Sequence, residues 1–398
     1  MKTSIALSVL SAALLAGGAY GADRGTSPQQ LQIRYKLTVL DTLGGNATSG
    51  NSINDRGWIA GQASYEGEQI TRAALWRGNG APTDLGTLGG PNSAVLWPVK
   101  NVRGIITGIA QTDETDPLNE RWSCFFFFPS ATARGKRCMG FKWQNEVMTR
   151  LPPFPGGTHS FATGANNWGQ VVGWAENAVQ DSSCTSPQVL QFHAALWGPG
   201  KNQMHALLPL SGDRVSSATA INDRGQVVGI SGACSNAVGG LSARHNVLWE
   251  NGQPTNIGDF GGIAWNTPMM INQRGDVVGF ANDSVDDGTG FDPRPFLWIK
   301  GRGIRRLDLL PNHAYGQALG INEWRQVVGQ SCDAADVCRA VLWQNNVPTD
   351  LNQLLMPSAG VTLTSANDID DLGRITGNAR ESVDKTVAFK ATPFATTR

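Results

Sequence analysis

One position recurs as a cation four residues before a tryptophan: Arg72, His193, His245, Arg294 and Arg339 precede Trp76, Trp197, Trp249, Trp298 and Trp343. Guanidinium and imidazolium groups gathered at one rim would attract an anionic ligand such as an acidic glycan. The same regularity also describes side chains that pair with a polar neighbour such as Gln170, Gln226, Asp276 or Gln326. The pairing role is favoured, because a position repeated from unit to unit reflects the architecture of the repeat. His193 and His245 can be imagined around a metal, but no third ligand is visible beside them.

Other residues carry chemistry singly. Trp122 stands just before Cys124, and four successive phenylalanines, Phe125 to Phe128 with Phe126 among them, stand between Cys124 and Cys138. One sheet face cannot bury four adjacent rings, so this stretch either covers a neighbouring unit or presents an aromatic tip to a partner. Asn282, Asp283, Ser284, Asp286 and Asp287 make an oxygen-rich run. Calcium at Asp283, Asp286 and Asp287 is conceivable, but the spacing departs from the EF-hand loop and a solvated loop is the better reading. Glu66, Glu114, Asp286, Asp287 and Asp336 can supply carboxylates, none paired at a spacing that announces acid–base work. No nucleophile elbow, phosphate loop, dinucleotide fingerprint or His-Glu-x-x-His is present.

These residues hang on a repeat. Residues 221–229, Ile-Asn-Asp-Arg-Gly-Gln-Val-Val-Gly, give its clearest copy; others lie at 53–61, 165–173, 271–279 and 321–329, with degraded copies at 100–108 and 369–377. A signature ending in Trp follows each of the first six, and Lys390 takes that place in the seventh. A third signature is Asp84-Leu85-Gly86-Thr87-Leu88-Gly89-Gly90, seen again at 257–262. Each unit thus predicts four strands: a up to Ile-Asn, b through Val-Val, c up to Leu-Trp, and d along the Leu-Gly-Thr-Leu segment. Asn-Asp-x-Gly makes the tight a–b turn. Four antiparallel strands in roughly 45–50 residues are the size of a propeller blade.

The ends predict closure. The seventh unit stops after strand c, and the missing segment stands at the start as residues 37–45. The expectation is an all-β, seven-bladed β-propeller of four-stranded antiparallel blades, closed by the N-terminal strand, which hides both edges of the array. The units run about 46–90, 91–157, 158–213, 214–262, 263–313, 314–355 and 356–393, with 34–45 as closing strand and one domain over 34–393. The combined signatures resemble the HAF-repeat family of bacterial extracellular proteins, through His193-Ala194-Ala195-Leu196-Trp197, Arg294-Pro295-Phe296-Leu297-Trp298 and Arg339-Ala340-Val341-Leu342-Trp343. The resemblance covers nearly all of 35–393 and brings no established chemistry. Unit two departs most, with Met139-Gly140-Phe141-Lys142-Trp143 and a long insertion.

The a–b and c–d turns share one face of such a ring, and the b–c and d–a connections share the other. Length varies in the b–c connections, longest at 109–138, and loops on a rigid scaffold are where binding is expected. All six cysteines fall there. Adjacency pairs Cys332 with Cys338 and Cys124 with Cys138, leaving Cys184 and Cys234 to bridge units three and four; six cysteines permit 15 pairings in all.

Residues 1–21 read as an export signal cleaved near Gly21 or Ala22, followed by a linker at 22–33 and, at the far end, a tail at 394–398. A formal net charge of zero, with 16% charged residues, gives no reason to favour nucleic acid or anionic membranes. The expectation is a secreted or periplasmic, monomeric binding module for an extracellular glycan, peptide or protein, with no cofactor. Its candidate face carries Arg72, Trp122, Phe126, His193, His245, Arg294 and Arg339. The alternatives are an extracellular carbohydrate-active hydrolase or lyase using the same face, and a structural spacer at the cell surface.

Overall fold

The computed structural model describes residues 31–120, 124–200, 203–235, 239–283, 290–358 and 360–397. The export signal, Trp122, Asp286 and Asp287 lie outside them. The chain is an all-β propeller of antiparallel sheets. Five sheets have four strands each; the eight-stranded one is two fours joined by a single parallel pair, Ala47 with Thr386. The first blade therefore holds Gly44–Ile53, Ile59–Tyr65, Thr71–Trp76 and Thr83–Asp84 as strands a to d. The last holds Thr362–Ile369, Ile375–Ser382 and Lys385–Thr397, and takes Leu31–Val39 as strand d. Leu37 faces Ala391 and Val39 faces Phe389 in that pairing, so the N-terminal strand does close the ring.

Strand d is placed differently from the sequence expectation. In the fourth blade it is Gln253–Asn256, and Ile257-Gly258 already belongs to the crossover into the next blade. The Asn256 side chain accepts the Gly258 amide at 2.8 Å, and Gly258 turns at φ +90°. Asp84 and Gly86 repeat this in the first blade, at 2.8 Å and φ +84°. An Asx turn followed by a left-handed glycine ends a strand, so Leu-Gly-Thr-Leu leaves the sheet rather than running along it.

The repeated residues each have a structural task. The Trp indoles are buried, and Trp249 donates to the Leu208 carbonyl of the preceding blade at 2.8 Å, as Trp343 does to Asp308 and Trp197 to Pro152. Strand a bulges between Ala218 and Ala220, and opposite the bulge a side chain on Gly229 would run into the Ser217 carbonyl. The turn asparagine does most. Asn222 Oδ1 accepts the Arg224 and Gln226 amides, both at 3.1 Å, while Nδ2 donates to the Asn272 carbonyl of the next blade at 3.0 Å. Asn166, Asn272 and Asn322 make the same link to Asn222, Asn272's neighbour Asn322 and Asp370 in turn, at 3.2, 3.2 and 3.0 Å. The following residue adds a second ring: the amides of Asn167, Asp223, Gln273, Glu323 and Asp371 donate to Asp223, Gln273, Glu323, Asp371 and Asp55 respectively. These side chains border a small axial cavity of about 120 Å³ on the turn face.

Candidate functional site

The second blade breaks the pattern. Its strand b, Ile106–Thr115, and strand c, Lys136–Gln144, are separated by the insertion 116–135. The ends of the insertion meet where the Asp116 amide donates to the Gly135 carbonyl at 3.0 Å. Asp116 then folds the next residues around its own carboxylate, which accepts the amides of Leu118 at 3.0 Å and Glu120 at 2.5 Å. The Cys124–Cys138 disulfide fastens the middle of the insertion to strand c. Phe128 is buried, and Phe127 meets Phe161 of the third blade edge to face at 5.2 Å. Trp174 and Phe192 continue that stack. The phenylalanine run therefore does both things the sequence allowed: Phe127 and Phe128 cover the neighbouring blade, and Phe126 is exposed.

Under the insertion lies a buried polar group that sequence reasoning missed. Glu120 Oε1 accepts the amides of Val189 and Leu190, at 2.8 and 2.7 Å, at the head of strand c of the third blade, Leu190–Trp197. Glu120 Oε2 is buried without a hydrogen-bond partner among the described residues. His159 is fully buried, its Nδ1 accepting the Cys138 amide at 3.1 Å and its Nε2 lying 3.4 Å from Asp116. Glu176 accepts the Thr158 and His159 amides at 3.2 and 2.8 Å, and Gln188 Nε2 at 3.0 Å. None of this is visible in local spacing, because the four titratable residues come from two blades and meet only after the blades pack.

Burial pushes the Glu176 carboxyl up to about 7, against the pull of His159. Burial also raises Glu120, against the two amides it accepts. Asp116 is likewise pressed upward by burial, but the hydrogen bond and charge of His159 and two backbone amides more than offset this, and it ends below the usual range. Burial works against a charged His159, yet Glu176, Asp116 and Glu120 together outweigh it and raise the imidazole.

Asp116, Glu120 and His159 offer one ligand atom each within 4.8 Å of one another, the ligand count of a metal site. The surroundings of His159 do not suit one. A ligating imidazole donates its second ring N–H to an acceptor, whereas Nδ1 here faces an N–H donor, the Cys138 amide. In the neutral ring that amide leaves Nδ1 as the acceptor and puts the proton on Nε2, the atom a metal would need, and a charged ring offers no lone pair at all.

The surface above Glu120 is open. A cavity of about 300 Å³ is lined by Asn119, Glu120, Phe125, Arg134, Gly135 and Pro187, from the insertion and the facing loop of the third blade. The Arg134 guanidinium lies 5.3 Å from the Phe125 ring centre, a cation–π stack at the rim. A second disulfide, Cys184–Cys234, ties the facing loop to the fourth blade, where Thr185 also donates to the Cys234 carbonyl at 2.8 Å. Cys332–Cys338 closes the loop of the sixth blade.

Three of the five recurring cations are engaged locally. His245 Nδ1 is 2.9 Å from Asp213, and Arg294 pairs with Asp292, Asp283 and the Ala314 carbonyl. Arg339 donates to the Cys338 carbonyl at 3.4 Å. His193 sits on strand c of the third blade, where burial lowers its pKa, and Arg72 is at the start of strand c of the first. The partners differ from the expected ones: Gln170, Gln226 and Gln326 bond to the turn asparagines, and Asp276 to Arg325. His193 and His245 belong to different blades and join no group of metal-ligating side chains among the described residues. Asp283 is held by Arg306 at 2.6 Å and Arg294 at 3.7 Å, which fills its carboxylate with guanidinium contacts. Glu114 is clamped by Arg137 and Arg150, and Asp336 accepts the Tyr315 hydroxyl.

No protein-family model matches the chain, and no curated protein matches it. Among solved structures it is similar to an oligogalacturonate lyase from Vibrio parahaemolyticus, at 9% identity over 92% of this chain and 98% of that one, with a TM-score of 0.46. It is also similar to a gluconolactonase from Xanthomonas campestris (8% identity, 64% and 79% covered, TM-score 0.33). A third is the Aleuria aurantia lectin in complex with Fucα1-6GlcNAc (9% identity, 80% and 94% covered, TM-score 0.33). At such identities no residue role passes from them to this chain. Three disulfides fit an oxidising compartment, extracellular or periplasmic, and no helix among the described residues is long and apolar enough to cross a membrane.

Proposed function

We propose that this is a secreted binding module of the HAF-repeat type, which takes its ligand on the b–c loop face at the seam between the second and third blades. The observation that carries the reading is the cavity of about 300 Å³ there, lined by Glu120, Asn119 and Pro187 and walled by a stacked Phe125–Arg134 pair. Its volume is at the lower end of the range for small-molecule sites. Two disulfides, the aromatic stack and the Glu120 bridge preorganise the walls, which reduces the ordering cost of binding. The ligand is an extracellular glycan or the like, engaged by a terminal residue rather than along a groove.

The carbohydrate-active enzyme reading has less support. Two carboxylates facing one open site would be needed, and Asp116 and Glu176 are hydrogen-bonded inward, behind Glu120. The test is a glycan and peptide array probed with the disulfide-intact protein, then with Phe125→Ala and, on the opposite face, Leu372→Ser. Binding that disappears with Phe125→Ala and persists with Leu372→Ser is expected. Equal binding by both variants would place the ligand elsewhere.

A further inference from the structure

We infer that the turn face carries a second binding site, for a neutral oligosaccharide laid along an arc of turn tips from the third blade to the sixth. This site is independent of the loop-face cavity. The third residue of each a–b turn stands exposed around the axis: Arg56, Arg103, Trp168, Arg224, Arg274, Trp324 and Leu372. Trp168 and Trp324 are 64% and 67% exposed, in a side chain that is ordinarily well buried. Their indole N–H groups are already used, each on the turn of the next blade. Trp168 donates to the Asp223 carbonyl at 2.7 Å, and Trp324 to the Asp371 carbonyl at 2.9 Å. These bonds anchor the indoles and spend their one polar group, so what each tryptophan offers a partner is its π face.

Between the two tryptophans stand Arg224 and Arg274, neither in an ion pair among the described residues. The surface between these tips is grooved. A cavity of about 530 Å³ lies between the third and fourth blades, bordered by Gln170, His205, Asp223 and Arg224. Another of about 290 Å³ lies between the fourth and fifth, bordered by Arg224, Glu250, Arg274 and Lys300. Charge then selects the ligand class. Arg56, Arg103, Arg224 and Arg274 are balanced by the carboxylates of the inner ring, Asp55, Asp223, Glu323 and Asp371. The face therefore exerts no net pull on a phosphate polymer or an anionic membrane. A cation on the π faces is opposed by the neighbouring guanidiniums. A pyranose suits all three kinds of group: its C–H face carries the slight positive charge that an aromatic face attracts, and each hydroxyl can donate to a carboxylate and accept from a guanidinium. Glu323 uses only Oε1 for the Gln273 amide, which leaves Oε2 for such a hydroxyl. Two tryptophans three blades apart call for a chain of sugars.

The experiment is isothermal titration of the disulfide-intact protein with neutral hexasaccharides of glucose, mannose and galactose, each α- and β-linked. A single-stranded oligonucleotide and phosphatidylglycerol vesicles are titrated beside them. At least one hexasaccharide should bind, and about tenfold more weakly to Trp168→Ala or Trp324→Ala. Trp168→Phe and Trp324→Phe lose the indole bond but keep a π face, and should restore most of the affinity. A merely structural role predicts phenylalanine no better than alanine, which would overturn the site. Val383→Ser, at a loop-face hairpin tip and 94% exposed, should bind like the parent. Binding of no hexasaccharide, or equal binding by the parent and both alanine variants, overturns the inference. So does binding of the oligonucleotide or the vesicles in place of a sugar. Hexasaccharide binding lost with Phe125→Ala and kept by the alanine variants of Trp168 and Trp324 sinks the turn-face site while the loop-face reading stands.

Discussion

The turn asparagine offers the sharpest test of how the ring is held. Asn222 is 1% exposed and makes four hydrogen bonds: two from amides of its own turn, one to the Gln226 side chain at 2.8 Å, and one to Asn272 of the next blade. At about 1 kcal/mol net for each, Asn222→Ala should cost about 4 kcal/mol. Unfolding entropy near 2.1 cal/mol/K per residue over about 360 residues converts this to a fall in Tm of about 5 °C. The seventh blade contains a natural control. Asp370 stands at the asparagine position, still accepts the Leu372 and Arg374 amides, and is charge-balanced by Arg374 Nε at 2.5 Å. Asn222→Asp alone should therefore cost about 3 kcal/mol, since two donor bonds vanish and a buried charge is left unpaired. Adding Gln226→Arg transplants the seventh-blade pair and should recover at least half of that. Space permits it: Arg374 lies over Gly57 and Gln226 over the equivalent Gly275, neither of which has a side chain in the way. The measurements are calorimetric Tm and urea midpoints for the four proteins. A double variant no more stable than Asn222→Asp would refute the argument, as would an Asn222→Ala protein within about 1 °C of the parent.

Two further outcomes follow from the loop face. Loop-closure entropy assigns about 4 kcal/mol to Cys184–Cys234, which spans 50 residues, and about 2 kcal/mol to Cys332–Cys338, which spans 6; paired Cys→Ser variants should lose stability in that order, and the reverse order in urea midpoints would contradict it. Glu176 has its pKa raised to about 7 from the ordinary 4.5, so between those values the folded chain keeps a proton that the unfolded chain has released. Stability should fall as pH rises through that window, by up to about 3 kcal/mol, and Glu176→Gln should flatten the slope. A Glu176→Gln protein with the parent's pH profile would show that Glu176 is not the titrating group.

The sequence made the ring legible because closure leaves a mark: one strand too few at the C-terminus and one too many at the N-terminus. Repetition did the rest, since a residue recurring seven times is doing something every blade needs. What repetition cannot say is what that task is. The position of strand d was misread because Leu-Gly-Thr-Leu looks like strand, while the side chain of the preceding Asp84 or Asn256 turns the chain out of the sheet. The pairing role favoured for the recurring cations holds for His245, Arg294 and Arg339, each of which finds a partner within its own loop or next door, though not the partner the spacing suggested. The polar group under the insertion was invisible for the opposite reason: Asp116, Glu120, His159 and Glu176 occur once each and share no period.

The departure of the second blade and the position of the cavity belong together. Six blades pass one turn amide to the next around the axis, but Val102 occupies the linking place in the second blade and has no side-chain acceptor to offer. Lys100 takes the place of the usual apolar residue and reaches past the Ile53 carbonyl to the buried Asp368 of the seventh blade, 2.7 Å away. A buried ion pair is a poor substitute for apolar packing in stability alone. The blade is instead secured from its other end, where the insertion is pinned to the third blade by the Phe127–Phe161 contact, the Cys138–His159 hydrogen bond and the Glu120 bridge. Pinning of that kind would be complete with every acceptor satisfied. Glu120 Oε2, the one acceptor of that bridge left without a described partner, is buried in the seam whose outer wall is the cavity, so the blade's fastening and its candidate binding surface are built from the same residue.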